Sequence, residues 1–424
     1  MSSHQLSAST GIDSTTPPPL TSLSSEASVK LYEEQLKPKI NTIKSSNASL
    51  PSLVDAAEKI IREVFQAAPD PMRTFTFTHK KPEDQDHYEI LTSISVHLDK
   101  VMLAMLAYAQ ECGGESGKRY VAAAIVSCSK EDSDADVVGA LAALGTTWLT
   151  HLLFVFKTRT QTIDQPSTHF SQGGGSRKRS VAQNVIKRDR YECVLTGTQD
   201  VAHPKPVAGI YTARLYITHI LQRALGEFDT DQNSDSYKSA ATTLDILSNF
   251  TRLPAQTLEE LSVHLDEPSN GMTLQSDAHY AFERFDWCLK QTMETHVYDF
   301  KIFQDRGILR KPDDNRITFA DHSDDFSDSD SDSDSDSGST LKLDSKRKPP
   351  VDLPNPIYIQ IHAAIAGILN MSGAGRFLDA LLDTYREDED RLCAVRCWPE
   401  LERLMEEQVL RDAVTEAFRM ANVY

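Results

Sequence analysis

Asn270-Gly271-Met272-Thr273-Leu274-Gln275-Ser276-Asp277-Ala278-His279 is the stretch that decides the middle of this chain. Asn-Gly is a common turn pair because both residues tolerate positive φ. Met272 and Leu274 then read as inward-facing candidates, and Phe282, Phe285 and Leu289 recur at helical spacing over 276–289. Upstream, Cys193-Val194-Leu195 reads as a strand ended by Thr196-Gly197, and Leu215-Tyr216-Ile217 as a second strand ending at His219. The expected unit is a β-hairpin followed by a helix.

Such a unit brings His219, Asn270 and His279 together, the one polar constellation here that looks like chemistry. One imidazole can deprotonate water while a cation held nearby stabilises charge on a phosphorane. A histidine at a strand end and another on the facing helix are then expected to converge on one small ion. Each residue also has an ordinary structural reading: a histidine satisfied in the core, or an Asn-Gly turn. His203, His264 and His296 read as surface or structural residues.

The stretches RDRYECVLTGTQ, ITHILQRAL around His219, SNGMTL around Asn270 and DAHYAFERFDW around His279 resemble the HNH nuclease domain found in many fungal proteins. The resemblance covers about residues 180–305, and HAAIAGILNMSGAG, from His362 on, resembles the tail that accompanies that domain. It implies a ββα-metal fold that hydrolyses DNA phosphodiesters. It also implies His219 as the general base, Asn270 as a loop brace or metal contact, and His279 as the helix histidine at the metal. The implied ion is Mg²⁺ or Mn²⁺, with Zn²⁺ the alternative because imidazole ligation suits it. Many such enzymes carry Asp or His directly before the base, and here Thr218 stands there, so Asp277 is the candidate carboxylate. A second reading follows from that departure: a nuclear scaffold or regulatory protein that keeps the HNH fold as a binding module.

The net charge of −18 argues against a nucleic-acid partner at first sight. Eight aspartates fall within 321–336, however, and without them the balance is −10. Arg177, Lys178, Arg179, Lys187, Arg188 and Arg190 put six positive charges into fourteen residues just before the candidate hairpin. They read as a phosphate-contacting edge, as a nuclear-import signal in the first three, or as a solvated charged face. The alternating Ser-Asp run over 326–337 reads as an extended tether, a spacer or a tail for basic proteins, whose serines suit an acidophilic kinase. Six cysteines lie scattered without a CxxC pair, and the amino terminus lacks a secretory pattern, so an intracellular location, with the nucleus as one option, is the expectation. Cys393 and Cys397 share a helical face, but zinc wants about four ligands and no partner pair is visible.

The expected fold is mainly α, with helical amino- and carboxy-terminal regions flanking a small ββα-metal (HNH-like) module. The expected organisation is a disordered Ser/Thr/Pro-rich tail at 1–28, a helical region at 29–162, a flexible basic linker at 163–179, the nuclease-like domain at 180–305, an acidic disordered tether at 306–350 and a helical region at 351–424. Leu91, Ile94, Leu98, Val101, Met102 and Met105 give the amino-terminal region its helical stripe. The apolar stretch 140–156 is just short of the roughly 20 residues a membrane span needs. It reads as a buried helix, with no membrane partner.

Overall fold

The computed structural model describes residues 25–81, 90–158, 176–326, 349–384 and 395–407, apart from 132, 255–256, 306, 308, 310–311 and 313. Expectations for the amino-terminal tail up to residue 24, most of the linker, the Ser-Asp run from 327 and Cys393 fall outside those residues.

The protein is mainly α, with small sheets in a central module flanked by helical regions. Helices α1 (25–44) and α2 (50–65) pack on the long α3 (Leu98–Cys128), as does α4 (134–157). The amino-terminal region is not all-helical: β1 (Thr74–Lys81) and β2 (Ile90–His97) form an antiparallel hairpin with Phe75 opposite Val96 and Phe77 opposite Ile94. The helical stripe read from Leu91 starts only at Leu98. Thr92-Ser93-Ile94-Ser95-Val96 alternates with period two and has β-branched residues at 92, 94 and 96, and that pattern prevails over the three-and-four spacing.

Within α3, Gly113 and Gly117 let the end of a neighbouring helix approach closely: a Cβ at either would meet the Phe250 carbonyl oxygen at 2.2 or 2.5 Å. Gly114 between them takes φ +63°, ψ −151°, a kink that joins two helical pieces. The segment Asp136–Lys157 is apolar and long enough to cross a membrane, but 83% of its apolar window is buried inside the protein. It packs there as a core helix around Trp148, Leu152 and Phe154.

The middle of the chain runs from α5 (Ser176–Arg188) through the short parallel pair β3 (Gln199–Asp200) and β4 (Thr212–Ala213) to β5 (Leu215–His219). After α6 (Asp235–Phe250) and α7 (Leu258–Leu265), β6 (Gly271–Gln275) returns antiparallel to β5 and leads straight into α8 (Ser276–Glu283). The first expected strand is absent: Cys193–Leu195 lies in a tight turn, closed by Gly197 N–H donating to Cys193 O at 2.8 Å. The two strands of the ladder are therefore β5 and β6, with the helices α6 and α7 between them. The expected helix over 276–289 stops at Glu283, because Phe285 takes φ +63° and Trp287–Gln291 pairs as a strand (β7) with β8 (Val297–Ile302). β9 (Arg316–Thr318) completes that sheet, and Phe326 packs on Tyr191 with ring centroids 5.1 Å apart, so part of the expected tether is folded.

Helices α9 (Pro356–Ser372) and α10 (Ala374–Thr384) follow. α9 lies against both α3 and β7. One continuous apolar cluster, including Leu36, Met102, Trp148, Leu274, Trp287 and Ile365, joins the helical regions to the module. The site residues thus stand on a scaffold buried from both sides.

Candidate active site

In the β5–β6 ladder Thr218 faces Met272 and His219 faces Gly271. Successive strand residues point to opposite faces. Tyr216 and Thr218, two apart, both reach His279 on α8: the Tyr216 ring stacks on the imidazole at 5.2 Å and 5°, and the Thr218 hydroxyl lies 2.8 Å from Nδ1. Thr218 is fully buried and His279 is 7% exposed. The other imidazole nitrogen, Nε2, is 3.5 Å from Oε1 of Glu283, one helical turn further along α8. Asp277 sits exposed in the first turn, two residues from His279 and so on another side of the helix.

His219 is half-buried at the end of β5, opposite Gly271 in the ladder. There a Cβ on Gly271 would meet Val185 of α5 at 3.2 Å and Ile217 at 3.5 Å. Among the described residues no three His, Cys, Asp or Glu side chains gather to hold an ion by themselves.

Asn270 ends the short 3-10 turn Pro268–Asn270, and Gly271 after it is extended at φ −128°. The pair is not a positive-φ turn. The fully buried Asn270 carboxamide accepts from Leu221 N–H at 2.8 Å and donates to Leu221 O at 3.1 Å and Leu265 O at 3.0 Å. Its own carbonyl accepts from Ile220 N–H at 2.9 Å. Both amide hydrogens are used on backbone, so the side chain braces the segment that leaves the His219 strand. These bonds are those of a loop brace, one of the two roles that the resemblance implies for Asn270.

The basic segment divides in the same way. Arg188, expected on phosphate, is fully buried. Its guanidinium pairs with Asp189 through Nε at 2.8 Å and Nη2 at 3.1 Å, and donates to the carbonyls of Pro268, Asp352 and Gly271 at 3.0, 2.8 and 2.7 Å. Those bonds account for all five donors of the group. Asp189 Oδ2 in turn accepts from Thr273 N–H at 2.9 Å, so the pair ties α5 to β6 and to the chain entering α9. Arg190, at φ +60°, is exposed and Lys187 is half-buried. Arg177, Lys178 and Arg179 fall at the start of α5, with side chains outside the described residues.

From α9, His362 stacks on Phe282 at 3.7 Å and 5° and on Phe285 at 4.7 Å, and its Nε2 lies 3.3 Å from Phe282 O. Complete burial pushes its pKa down to about 3, so it is a neutral packing residue behind α8. Asn370 adds a bond from Nδ2 to Phe285 O at 2.9 Å, which holds the positive-φ residue where α8 ends.

Thr218, Tyr216, Glu283 and Arg188 carry parts of this arrangement that the sequence alone assigns to other roles or leaves unmarked. The signals that point to them are the two-residue strand spacing of Tyr216 and Thr218 and the one-turn helical spacing of His279 and Glu283. No comparable signal marks Arg188, whose basic neighbours resemble it in sequence.

Residues 193–290 match the HNH endonuclease family. The matched range holds His219, Asn270 and His279 and ends within β7. Comparison with curated proteins and with solved structures found no match. Nucleases of the HNH type use divalent metal ions, and His279 fits a metal-bound imidazole. Such a ring usually has its second nitrogen fixed by a hydrogen bond, and here Thr218 does that while Nε2 faces a carboxylate.

Proposed function

We propose that this protein is a metal-dependent endonuclease that hydrolyses DNA phosphodiesters, with His219 as general base and the His279 side of the ladder as the cation side. The observation that carries the reading is the ladder itself. β5 and β6 run into α8 within the family-matched segment, and His279 is hydrogen-bonded to the residue next to His219.

In an in-line displacement the attacking water and the leaving oxygen lie on opposite sides of phosphorus, so a base and a cation do their work at different places. His219 takes a proton from water, the water oxygen bonds to phosphorus, and the bond to the leaving oxygen breaks. Bound at His279, Mg²⁺ or Mn²⁺, with Zn²⁺ the alternative, supplies charge stabilisation to the phosphate oxygens. Asn270 keeps the strand end in place, and Lys187 and Arg190 are the described cations of the basic segment that can reach the backbone of DNA.

Nicking of supercoiled plasmid with each of the three ions tests the reading. His219→Ala is expected to lose roughly 10² to 10⁴ in rate, the worth of a positioned base. Equal nicking by wild type and variant removes His219 from the mechanism.

One observation favours a second reading. The Asn270 carboxamide and His279 Nδ1 are engaged inside the protein, and Thr218 brings no carboxylate. This describes a nuclear binding module or scaffold, imported through Arg177-Lys178-Arg179 and meeting basic proteins through its Ser-Asp run. DNA binding by the full chain that is indifferent to divalent ions, with no cleavage, would put this reading ahead.

A further inference from the structure

We propose that the cavity between the first turns of α3 and α10 binds a phosphate group, held by Lys100 and Arg376. None of its described lining residues belongs to the β5–β6 ladder or to α8, so this site is separate from the one proposed for phosphodiester hydrolysis.

The cavity has a volume of about 210 Å³ and is walled by the end of α9, from Leu369 to Ser372, and by Gln304 after β8. The polar side chains of that wall are engaged within the protein. Gln304 Nε2 donates to Asn370 Oδ1 at 3.1 Å, Asn370 Nδ2 donates to Phe285 O and Ala366 O at 2.9 and 2.8 Å, and Ser372 Oγ donates to Ile368 O at 2.6 Å. Lys100 and Arg376 differ. Both are exposed, and among the described residues neither makes a hydrogen bond or an ion pair. No Asp or Glu is among the described lining residues, although the chain carries 62 acidic residues against 44 basic ones. Two cations facing one cavity without an acid repel each other, and an anion between them reverses the sign of the interaction.

The backbone adds to the positive field. Lys100 is the third residue of α3 and Arg376 the third of α10, so the cavity adjoins the starts of two helices, 31 and 11 residues long. His97 gives α3 no side-chain cap. Each helix start carries roughly half a positive charge, and the end of α9 carries about as much negative charge. The balance is one helix start and two full charges. Gly373, at φ +79°, makes the sharp turn that sets the start of α10 beside the end of α9.

The donors select the ligand. A guanidinium fork pairs with two oxygens of a phosphate, and an ammonium serves a further oxygen as a point charge. A phosphate monoester brings about −1.5 to −2 charges and three acceptor oxygens, enough for both groups, whereas a carboxylate with one charge matches only one of them. Ordinary small-molecule pockets start at roughly 300 Å³, so this smaller cavity suits the phosphate alone and leaves the remainder of a larger molecule outside.

The test is calorimetric titration of the full-length protein with inorganic phosphate and, separately, with deoxyadenosine 5′-monophosphate, together with melting curves in phosphate and in phosphate-free buffer. Wild type is expected to bind one phosphate group and to melt at higher temperature in its presence. The double variant Lys100→Gln, Arg376→Gln is expected to lose at least tenfold in affinity and to lose that shift. In phosphate-free buffer it should melt as wild type does, because both side chains are exposed and unpaired. Tighter binding of the nucleotide than of phosphate assigns a nucleotide as the source of the group, and equal or weaker binding assigns free phosphate. Wild type that binds neither at about 10 mM, well above the roughly 1 mM Kd of a weak small ligand, overturns the site. A double variant that binds both as wild type does overturns it equally. Neither outcome bears on nicking of DNA, since His219 and His279 are untouched in the variant.

Discussion

The hydroxyl of Thr218 lies 2.8 Å from Nδ1 of His279, both side chains buried between the β5–β6 ladder and α8. A threonine in place of an acidic ligand looks like a defect when only the sequence is in view. In the fold it is the partner of the helix histidine. The same contact fixes the ring and excludes the first nitrogen from ligation.

Thr218→Val keeps the shape of the side chain and removes the hydroxyl. The buried Nδ1 of His279 then loses its partner, which costs about 1–3 kcal/mol for a group left unsatisfied. The expected result is a loss of that size in urea unfolding together with a Mn²⁺ affinity reduced roughly 10- to 100-fold, the usual effect of removing such a support. A variant as stable as wild type and equal in ion affinity would show that the hydroxyl does neither job.

Asn270 separates brace from ligand through one isosteric change. If the carboxamide touched the ion, Asn270→Asp would bind metal more tightly, because a carboxylate is the better ligand for a hard cation. As a brace, the same change replaces the Nδ2 amide and its two N–H donors by one acceptor oxygen facing Leu221 O and Leu265 O. The expected outcome is destabilisation by about 2–4 kcal/mol with no gain in Mn²⁺ affinity. Denaturant unfolding and ion titration on the same sample decide it.

What is legible in this sequence follows from which forces act locally. The strand Leu215–His219 and the helix start at Ser276 follow from alternation and spacing, and the structure has both. Phe282, Phe285 and Leu289 fit a helical period equally well, yet Leu289 pairs with Phe300 in a sheet formed by residues further on. Cys193-Val194-Leu195 is an apolar run without a strand, because its backbone closes a turn and Val194 N–H donates to Thr273 O at 3.0 Å. Arg188 looks like its basic neighbours, and only the carbonyls of Pro268, Gly271 and Asp352, distant in sequence, make it a core residue. Local periodicity is visible in the residues themselves, and long-range pairing is not.

Arg188 and its neighbours are expected to behave oppositely. Arg188→Leu strands the buried Asp189 carboxylate and three carbonyls, a loss of about 3–5 kcal/mol for a broken buried pair. Lys187→Gln and Arg190→Asn, the latter a residue that tolerates the positive φ at that position, are expected to change stability by no more than about 0.5 kcal/mol. Their effect belongs to DNA binding. The slope of log K against log salt should fall by about 0.9 for each phosphate that the protein no longer neutralises. A salt slope unchanged in the double variant removes this segment from the DNA interface.

His362 gives the fold an acid-sensitive joint behind α8. Its pKa, about 3 in the folded protein against the usual value near 6.5, means that the folded state keeps the ring neutral while the unfolded chain takes up a proton. The contribution to stability is therefore complete above pH 6.5 and is lost as the pH falls from there toward 3. Each pH unit in that window costs about 1.4 kcal/mol. His362→Leu has no proton to take up, so between pH 7 and pH 5 the wild type should lose about 2 kcal/mol more than the variant. Carboxylates titrate alike in both proteins, and the difference isolates the histidine. Urea unfolding at pH 7, 6 and 5 measures it, and parallel losses in the two proteins would mean that the ring is protonated without leaving its stack on Phe282.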